Sequence, residues 1–163
     1  MGVGKSSVGR ELSTVLNTQF IDLDSYIEDK YAMSIKEIFN SKGEAAFREM
    51  EMQSVLAIIK LDQQIIALGG GSLEFNKLDS RIRSSALLIY LKASPEFLYE
   101  RLKKEKAQRP LIANMDDEEL LTFISQHLAK REKKYLNAQL SISVENKSTS
   151  KIVGFIKEYL DLV

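Results

Sequence analysis

The sequence predicts a doubly wound α/β fold, and three observations lead there. Two short, wholly apolar runs, Ile65-Ile66-Ala67-Leu68 and Ala86-Leu87-Leu88-Ile89-Tyr90-Leu91, have the pattern of parallel strands covered on both faces. Segments of helical period separate such runs along the whole chain. A glycine-bearing start, Met1-Gly2-Val3-Gly4-Lys5-Ser6, leads straight into one of those helical segments. Strands alternating with helices build a parallel sheet between two helical layers.

Each element has its own signal. Val8, Leu12, Val15 and Leu16 recur at helical spacing between Ser6 and Leu16. Phe20 to Asp24 reads as a strand ending in two acids, and Tyr26 to Tyr31 as helical. Ser34-Ile35-Lys36-Glu37 is a capping box, in which the serine oxygen satisfies a free helix N–H and the glutamate reciprocates. A helix is predicted from about Glu44 to Lys60, with Phe47, Met50 and Ile58 on one face. Ser94-Pro95 opens another helix, serine as cap and proline at the first helical position, where a missing N–H costs nothing. Lys103 to Asn114 is polar, basic and interrupted by Pro110, and reads as a mobile loop. Helices from about Asp116 to Tyr135 and Ser148 to Leu160 flank a last strand, Leu140 to Val144.

Length and composition narrow the function. A chain of 163 residues suits a single domain, 1–163. Its 23 Lys and Arg balance 23 Asp and Glu, which argues against nucleic acid as a partner, since that needs a basic surplus. The absence of cysteine removes disulfides, thiolate metal sites and a cysteine nucleophile. No apolar run approaches the roughly 20 residues that span a bilayer, and the start does not read as a signal peptide, so a cytoplasmic location is expected.

The glycine-bearing start matches the last six positions of G-x-x-x-x-G-K-[ST]. Glycines let backbone N–H groups wrap a phosphate, and the following helix points its positive end at the anion. Lys5 would reach the β- and γ-phosphates and the Ser6 hydroxyl would coordinate Mg²⁺. Asp22 and Asp24, two apart on the expected strand, would share one face and suit a metal-nucleotide site. Two solvated acids, or Asp24 capping the next helix, is the plainer alternative. Gly69-Gly70-Gly71 follows a strand at the carboxyl edge, where open α/β sheets bind ligands, and implies a close approach to that backbone. Arg48 could be a surface ion pair with Glu51. Arg131 continues the apolar stripe of Leu121, Ile124 and Leu128, so it needs an anionic partner, either a structural acid or a bound carboxylate. Arg109 sits in the basic loop, where it could close over phosphates. His127 reads as structural; no Ser-His-Asp order and no H-x-x-x-H supports a hydrolase or a zinc site.

These residues together resemble the shikimate kinases, small members of the P-loop nucleoside-monophosphate-kinase-like group. The likeness covers nearly the whole chain: M-G-V-G-K-S-S-V-G-R, F-I-D-L-D, Ile38-Phe39, G-E-A-A-F-R-E-M-E, L-G-G-G, Arg109-Pro110-Leu111, and Arg131 in K-R-E-K-K-Y. It implies a three-layer α/β/α P-loop kinase fold whose activity is ATP-dependent phosphorylation of the shikimate 3-hydroxyl. By position, Gly2, Gly4, Lys5, Ser6 and Ser7 would hold the ATP phosphates, and Ser6 with Asp22 would hold Mg²⁺. Asp24 would bind shikimate hydroxyls and orient, or accept the proton of, the attacking one. Arg48 and Arg131 would clamp the carboxylate, Gly70 and Gly71 would present backbone, and Phe39, Phe47 and Glu51 would line the pocket. Arg109 would come from a lid at about 103–115, beyond a substrate-binding helical region at about 24–60. A monomer is expected. A gluconate kinase or a non-catalytic nucleotide-binding module are the competing expectations.

Two departures from the family pattern stand out. The arginine that packs on adenine in relatives falls on Leu102, between Arg101 and Lys103. The family also has a first strand and an opening P-loop glycine ahead of the residue matching Met1, a position where many relatives carry Met. A start assigned to an internal Met, or a truncated chain, is therefore expected. That strand belongs in the middle of the sheet. Losing about five buried residues at roughly 1.5–3 kcal/mol each rivals a domain stability of roughly 5–15 kcal/mol, so low stability and weak activity are expected of the chain as written.

Overall fold

The first helix, α1 (Lys5–Leu16), starts on Gly4 and lays Val8 and Leu12 into the core. A computed structural model describes residues 2–73, 78–106, 109 and 111–162, the side chains of 78–80 excepted. Met1 and Pro110, both part of motifs read above, lie outside the described residues. After α1 come β1 (Gln19–Asp22), α2 (Leu23–Tyr31), α3 (Ile35–Ile58), β2 (Gln64–Ala67), α4 (Leu78–Ser85) and β3 (Ile89–Lys92). The chain closes with α5 (Pro95–Glu105), α6 (Asp117–Tyr135), β4 (Leu140–Ser143) and α7 (Thr149–Leu160).

Local signals act as expected at the caps. Ser34 opens α3 with a complete capping box, and Ser94 with Pro95 opens α5. Gly43 adopts φ 78°, ψ 171° inside α3 and kinks it, because this conformation is closed to a helix and easy only for glycine. The helix expected from Glu44 is thus the second arm of a longer bent one.

Three expectations are corrected. Asp24 is not on a strand with Asp22: β1 stops at Asp22, whose side chain caps α2 by accepting the Asp24 N–H at 3.2 Å. The two carboxylates are consecutive parts of a helix start, not a shared strand face. The loop expected from Lys103 begins later, since Lys103 and Lys104 complete the last turn of α5. On α6 the buried stripe runs through Leu120 and Ile124, with Leu121 only half-buried. One element carried no signal: α4 is polar, and of its described side chains Ile82 is the one buried.

The strands are parallel, as apolar βαβ connections require, but they form two pairs. β1 pairs with β2, Gln19 opposite Gln64, and β3 pairs with β4, Ile89 opposite Leu140. Among the described residues no strand joins β2 to β3. The core divides accordingly. One cluster gathers Leu23, Ile27, Ile38, Phe47, Val55 and Ile58 under α2 and α3. The other gathers Val8, Leu12, Leu91, Leu102, Leu120 and Ile156. An apolar slot of about 600 Å³ lies between them, bordered by β2 and β3.

Candidate active site

The phosphate loop is shaped by two glycines in the left-handed region, Gly2 at φ 72° and Gly4 at φ 96°. Such angles turn successive N–H groups toward one point, and the unpaired first N–H groups of α1 add to it. Gly2 also admits a neighbour: a Cβ there would stand 3.0 Å from the Leu102 side chain. Leu102 is accordingly buried under the loop and is not available to a base. The Arg101 guanidinium instead reaches the loop, 3.6 Å from the Cβ position of Gly4, and lies over the Phe97 ring at 5.6 Å.

Lys5, Ser6, Asp22 and Asp24 share one locality. The Ser6 hydroxyl donates to Asp22 Oδ2 at 2.7 Å, joining the first turn of α1 to the end of β1. Burial pulls the Lys5 ammonium below its usual pKa, against the attraction of Asp24 and Asp22. The Asp24 carboxyl moves the opposite way. Desolvation by the protein around it, then the negative Asp22 and Glu51, hold it above the usual carboxylate range, although part of the residue still faces solvent. Ser7 is exposed in the same first turn of α1.

The second half of the site is built on α3 and the glycine turn after β2. Arg48 donates to Glu51 at 2.9 Å and to Glu44 at 3.1 Å. Glu51 is buried and accepts the hydroxyl of buried Ser72 at 2.6 Å. The expectation of a surface ion pair is thus replaced by an inward one. Phe39 and Phe47 stack at 4.7 Å across the bend of α3, and the Arg48 guanidinium lies 5.1 Å from the Phe47 ring centre. The turn is glycine-rich for lack of space. A Cβ on Gly71 would sit 3.0 Å from both Arg48 terminal nitrogens. One on Gly69 would meet Glu51, Ser72 and Asp24 oxygens at 3.0–3.3 Å. Both have ordinary backbone angles, so proximity is what demands glycine here.

α6 closes the turn from the other side. The Tyr135 hydroxyl donates to the Gly70 carbonyl and the Lys134 ammonium to the Leu73 carbonyl. Arg131, half-buried, lies one turn earlier and shares their helix face, as residues three and four apart do. Arg109 is bonded to Glu105 at 2.6 Å and is close enough for its charge to depress Lys5 further. Three residues escaped sequence reasoning as members of the site, Ser72, Lys134 and Tyr135, because they meet it only through tertiary contacts; Gly69 was signalled by the three-glycine run.

The comparisons with known proteins bear on this geometry. The family model described as shikimate kinase matches residues 1–161. The chain belongs to the shikimate kinase family. The shikimate kinase of Flavobacterium johnsoniae is 40% identical over 162 residues, covering 98% of this chain and 94% of that one. Among solved structures, the shikimate kinase from Bacteroides thetaiotaomicron superposes with a TM-score of 0.93 at 33% identity, covering 99% of this chain and 94% of the other. The shikimate kinase from Acinetobacter baumannii, solved in complex with shikimate, gives 0.86 at 27% identity, covering 98% and 88%. The three-layer P-loop kinase architecture follows from these likenesses, as does membership among the kinases of the shikimate pathway. No helix among the described residues is long and apolar enough to cross a membrane.

Proposed function

We propose that this protein transfers the γ-phosphoryl group of ATP to the 3-hydroxyl of shikimate, releasing ADP and shikimate 3-phosphate for chorismate and aromatic amino acid biosynthesis. One observation carries the reading: the phosphate-loop Lys5 and the carboxylate Asp24 feel each other's charge, with the Arg48–Glu51–Ser72 cluster immediately behind Asp24. A phosphate cradle, a proton acceptor and a carboxylate clamp then lie in sequence.

The residues derive the chemistry. Gly2, Gly4, Lys5, Ser6 and Ser7 hold the nucleotide phosphates at the start of α1. Arg48 and Arg131 hold the acceptor's carboxylate by charge-assisted, bidentate hydrogen bonds, with Arg48 exchanging Glu44, its exposed partner, for the ligand. Phe39, Phe47 and Glu51 line that pocket, and Gly70 and Gly71 bring backbone against the ring. Asp24 takes the hydroxyl proton as the new O–P bond forms, and the electron pair of the breaking bond leaves on ADP. The raised pKa of Asp24 makes it a stronger base than a free carboxylate. Lys5, and Arg109 once released from Glu105, neutralise charge developing on the phosphoryl oxygens.

The site also suits Mg²⁺. Ser6 and Asp22 supply a hydroxyl and one carboxylate 2.7 Å apart, an all-oxygen pair of the kind that a cation retaining water and phosphate oxygens uses. Ser6 would hold it directly and Asp22 through water, and it would supply charge neutralisation on the phosphates. Residues 1–163 form one domain in this reading, with 24–60 as the substrate-binding helical region and 103–115 as the lid. The protein works as a monomer in the cytoplasm, without nucleic acid or membrane partners, in keeping with its zero net charge.

A coupled ADP-release assay tests the reading. Shikimate is expected to stimulate release, gluconate is not. Equal stimulation by gluconate makes the protein a different small-molecule kinase. Nucleotide binding with no acceptor-stimulated release, unaffected by Asp24→Asn, makes it a binding module.

A further inference from the structure

We infer that Tyr135 and Lys134 are positioning residues, which fix the glycine turn 69–73 against α6 and so set the geometry of the acceptor site. The inference rests on the shikimate reading above and gives these two side chains no contact with a substrate.

The turn needs a restraint from outside. Gly69 and Gly71 are glycines because Glu51, Ser72, Asp24 and Arg48 atoms stand where a Cβ would press. Three successive glycines also leave the backbone loose, since glycine loses more conformational freedom on ordering than any other residue. Inside the turn the Ser72 N–H donates to the Gly69 carbonyl at 3.2 Å. From the α3 side, Glu51 holds the Ser72 hydroxyl at 2.6 Å. Neither bond reaches the Gly70 or Leu73 carbonyl, and those are the two that α6 takes. The Tyr135 hydroxyl donates to Gly70, and the half-buried Lys134 ammonium donates to Leu73 at 2.9 Å. Two adjacent side chains thus bracket the turn at points three residues apart.

α6 can serve as the support because its own end is anchored to β3. Lys92 of β3 donates to Glu132 at 3.0 Å, and the Tyr135 ring packs on Tyr90 of β3 with centroids 5.1 Å apart. Arg131 lies one turn before Tyr135 on the same helix face. At the other side of the turn, Gly71 abuts the Arg48 guanidinium. The Tyr135 and Lys134 bonds therefore link the helix that carries Arg131 to the turn that abuts Arg48. Slackening that link changes how the two proposed carboxylate ligands stand to each other, while the packing around them stays.

Two variants remove one donor each. Tyr135→Phe keeps the ring, and Lys134→Met keeps the apolar stem. On the protein without ATP or shikimate, hydrogen exchange at the Ser72 amide should quicken about three- to tenfold in each. The Val55 and Ile58 amides of α3 should keep their rates. In steady-state kinetics, KM for shikimate should rise about three- to tenfold, with KM for ATP and kcat changed less than about twofold. Lys134→Arg, which restores a charged donor, should bring exchange and KM back toward the unsubstituted values. Unchanged Ser72 exchange in both variants overturns the inference. So does faster exchange with an unchanged KM for shikimate. A parallel rise in both Michaelis constants, with α3 exchanging faster too, also overturns it, because it marks a general loss of stability. Since the exchange readout involves no phosphoryl transfer, failure here and failure of the kinase reading are separate results.

Discussion

The Arg48 guanidinium and the Glu51 carboxylate are 2.9 Å apart, one turn from each other on α3, with the Glu51 side chain only 3% exposed. Ser72 binds the other oxygen of that carboxylate at 2.6 Å, so Glu51 ties Arg48 to the glycine turn. Removing one member of a buried pair strands the other, at a cost of about 3–5 kcal/mol. Glu51→Ala is expected to lower stability by about that much in urea denaturation. Glu51→Gln, which keeps a hydrogen bond to Ser72, should lose clearly less; an equal loss would show that the charge itself is what matters.

In the proposed role Arg48 binds a carboxylate at two points, and lysine cannot reproduce a planar fork. Arg48→Lys should raise KM for shikimate about tenfold or more, while KM for ATP stays put. Steady-state kinetics with each substrate varied in turn separates the two; a matching change in the ATP constant would contradict the assignment.

Asp24 and Lys5 hold opposite charges that the fold disfavours. A carboxyl whose folded pKa is raised binds protons more tightly when folded, so its contribution is most favourable below about 4 and declines as pH rises through the folded value. A lysine whose folded pKa is lowered destabilises in its protonated form, and that cost disappears only as pH approaches 10.5. Asp24→Asn and Lys5→Met are therefore each expected to raise Tm at pH 7, with the Asp24→Asn gain shrinking as pH falls toward 4. Asp24→Asn should also lower kcat by about 10²–10⁴. In the unsubstituted chain the acidic limb of the pH–rate profile should have its midpoint above the ordinary aspartate value of 3.8. Thermal scans from pH 4 to 8 alongside the rate profile check both signs.

Gly71 leaves no room for a methyl group, because both Arg48 terminal nitrogens would lie 3.0 Å from it. Gly71→Ala should displace the guanidinium and raise KM for shikimate with little change in Tm, since the backbone angles there suit alanine. A large drop in Tm with an unchanged KM would show that the turn itself, and not Arg48, needs the glycine.

The extent to which the site could be read from sequence follows from which interactions are local. Caps and loop signals depend on neighbours three or four residues away, so Ser34, Ser94 and the Gly4-Lys5-Ser6 helix start were legible. Asp24 was misplaced because alternation in Phe20 to Asp24 looks the same whether or not the strand stops at Asp22, and the stop is made by a side chain folding back on its own backbone. The polar helix α4 lacks any apolar stripe, so its existence depends on Ile82 meeting a distant core. Ser72, Lys134 and Tyr135 join the site through partners 21, 61 and 65 residues away. No spacing rule reaches so far. Leu102, by contrast, marked a departure in the sequence itself, and its burial beneath Gly2 leaves Arg101 as the basic side chain beside the loop.

The slot between the two half-sheets also gives the molecule a mechanical property. Space enclosed by folded walls vanishes when the chain unfolds, so the unfolded state together with its water occupies less volume. Hydrostatic pressure should therefore unfold this protein at modest values.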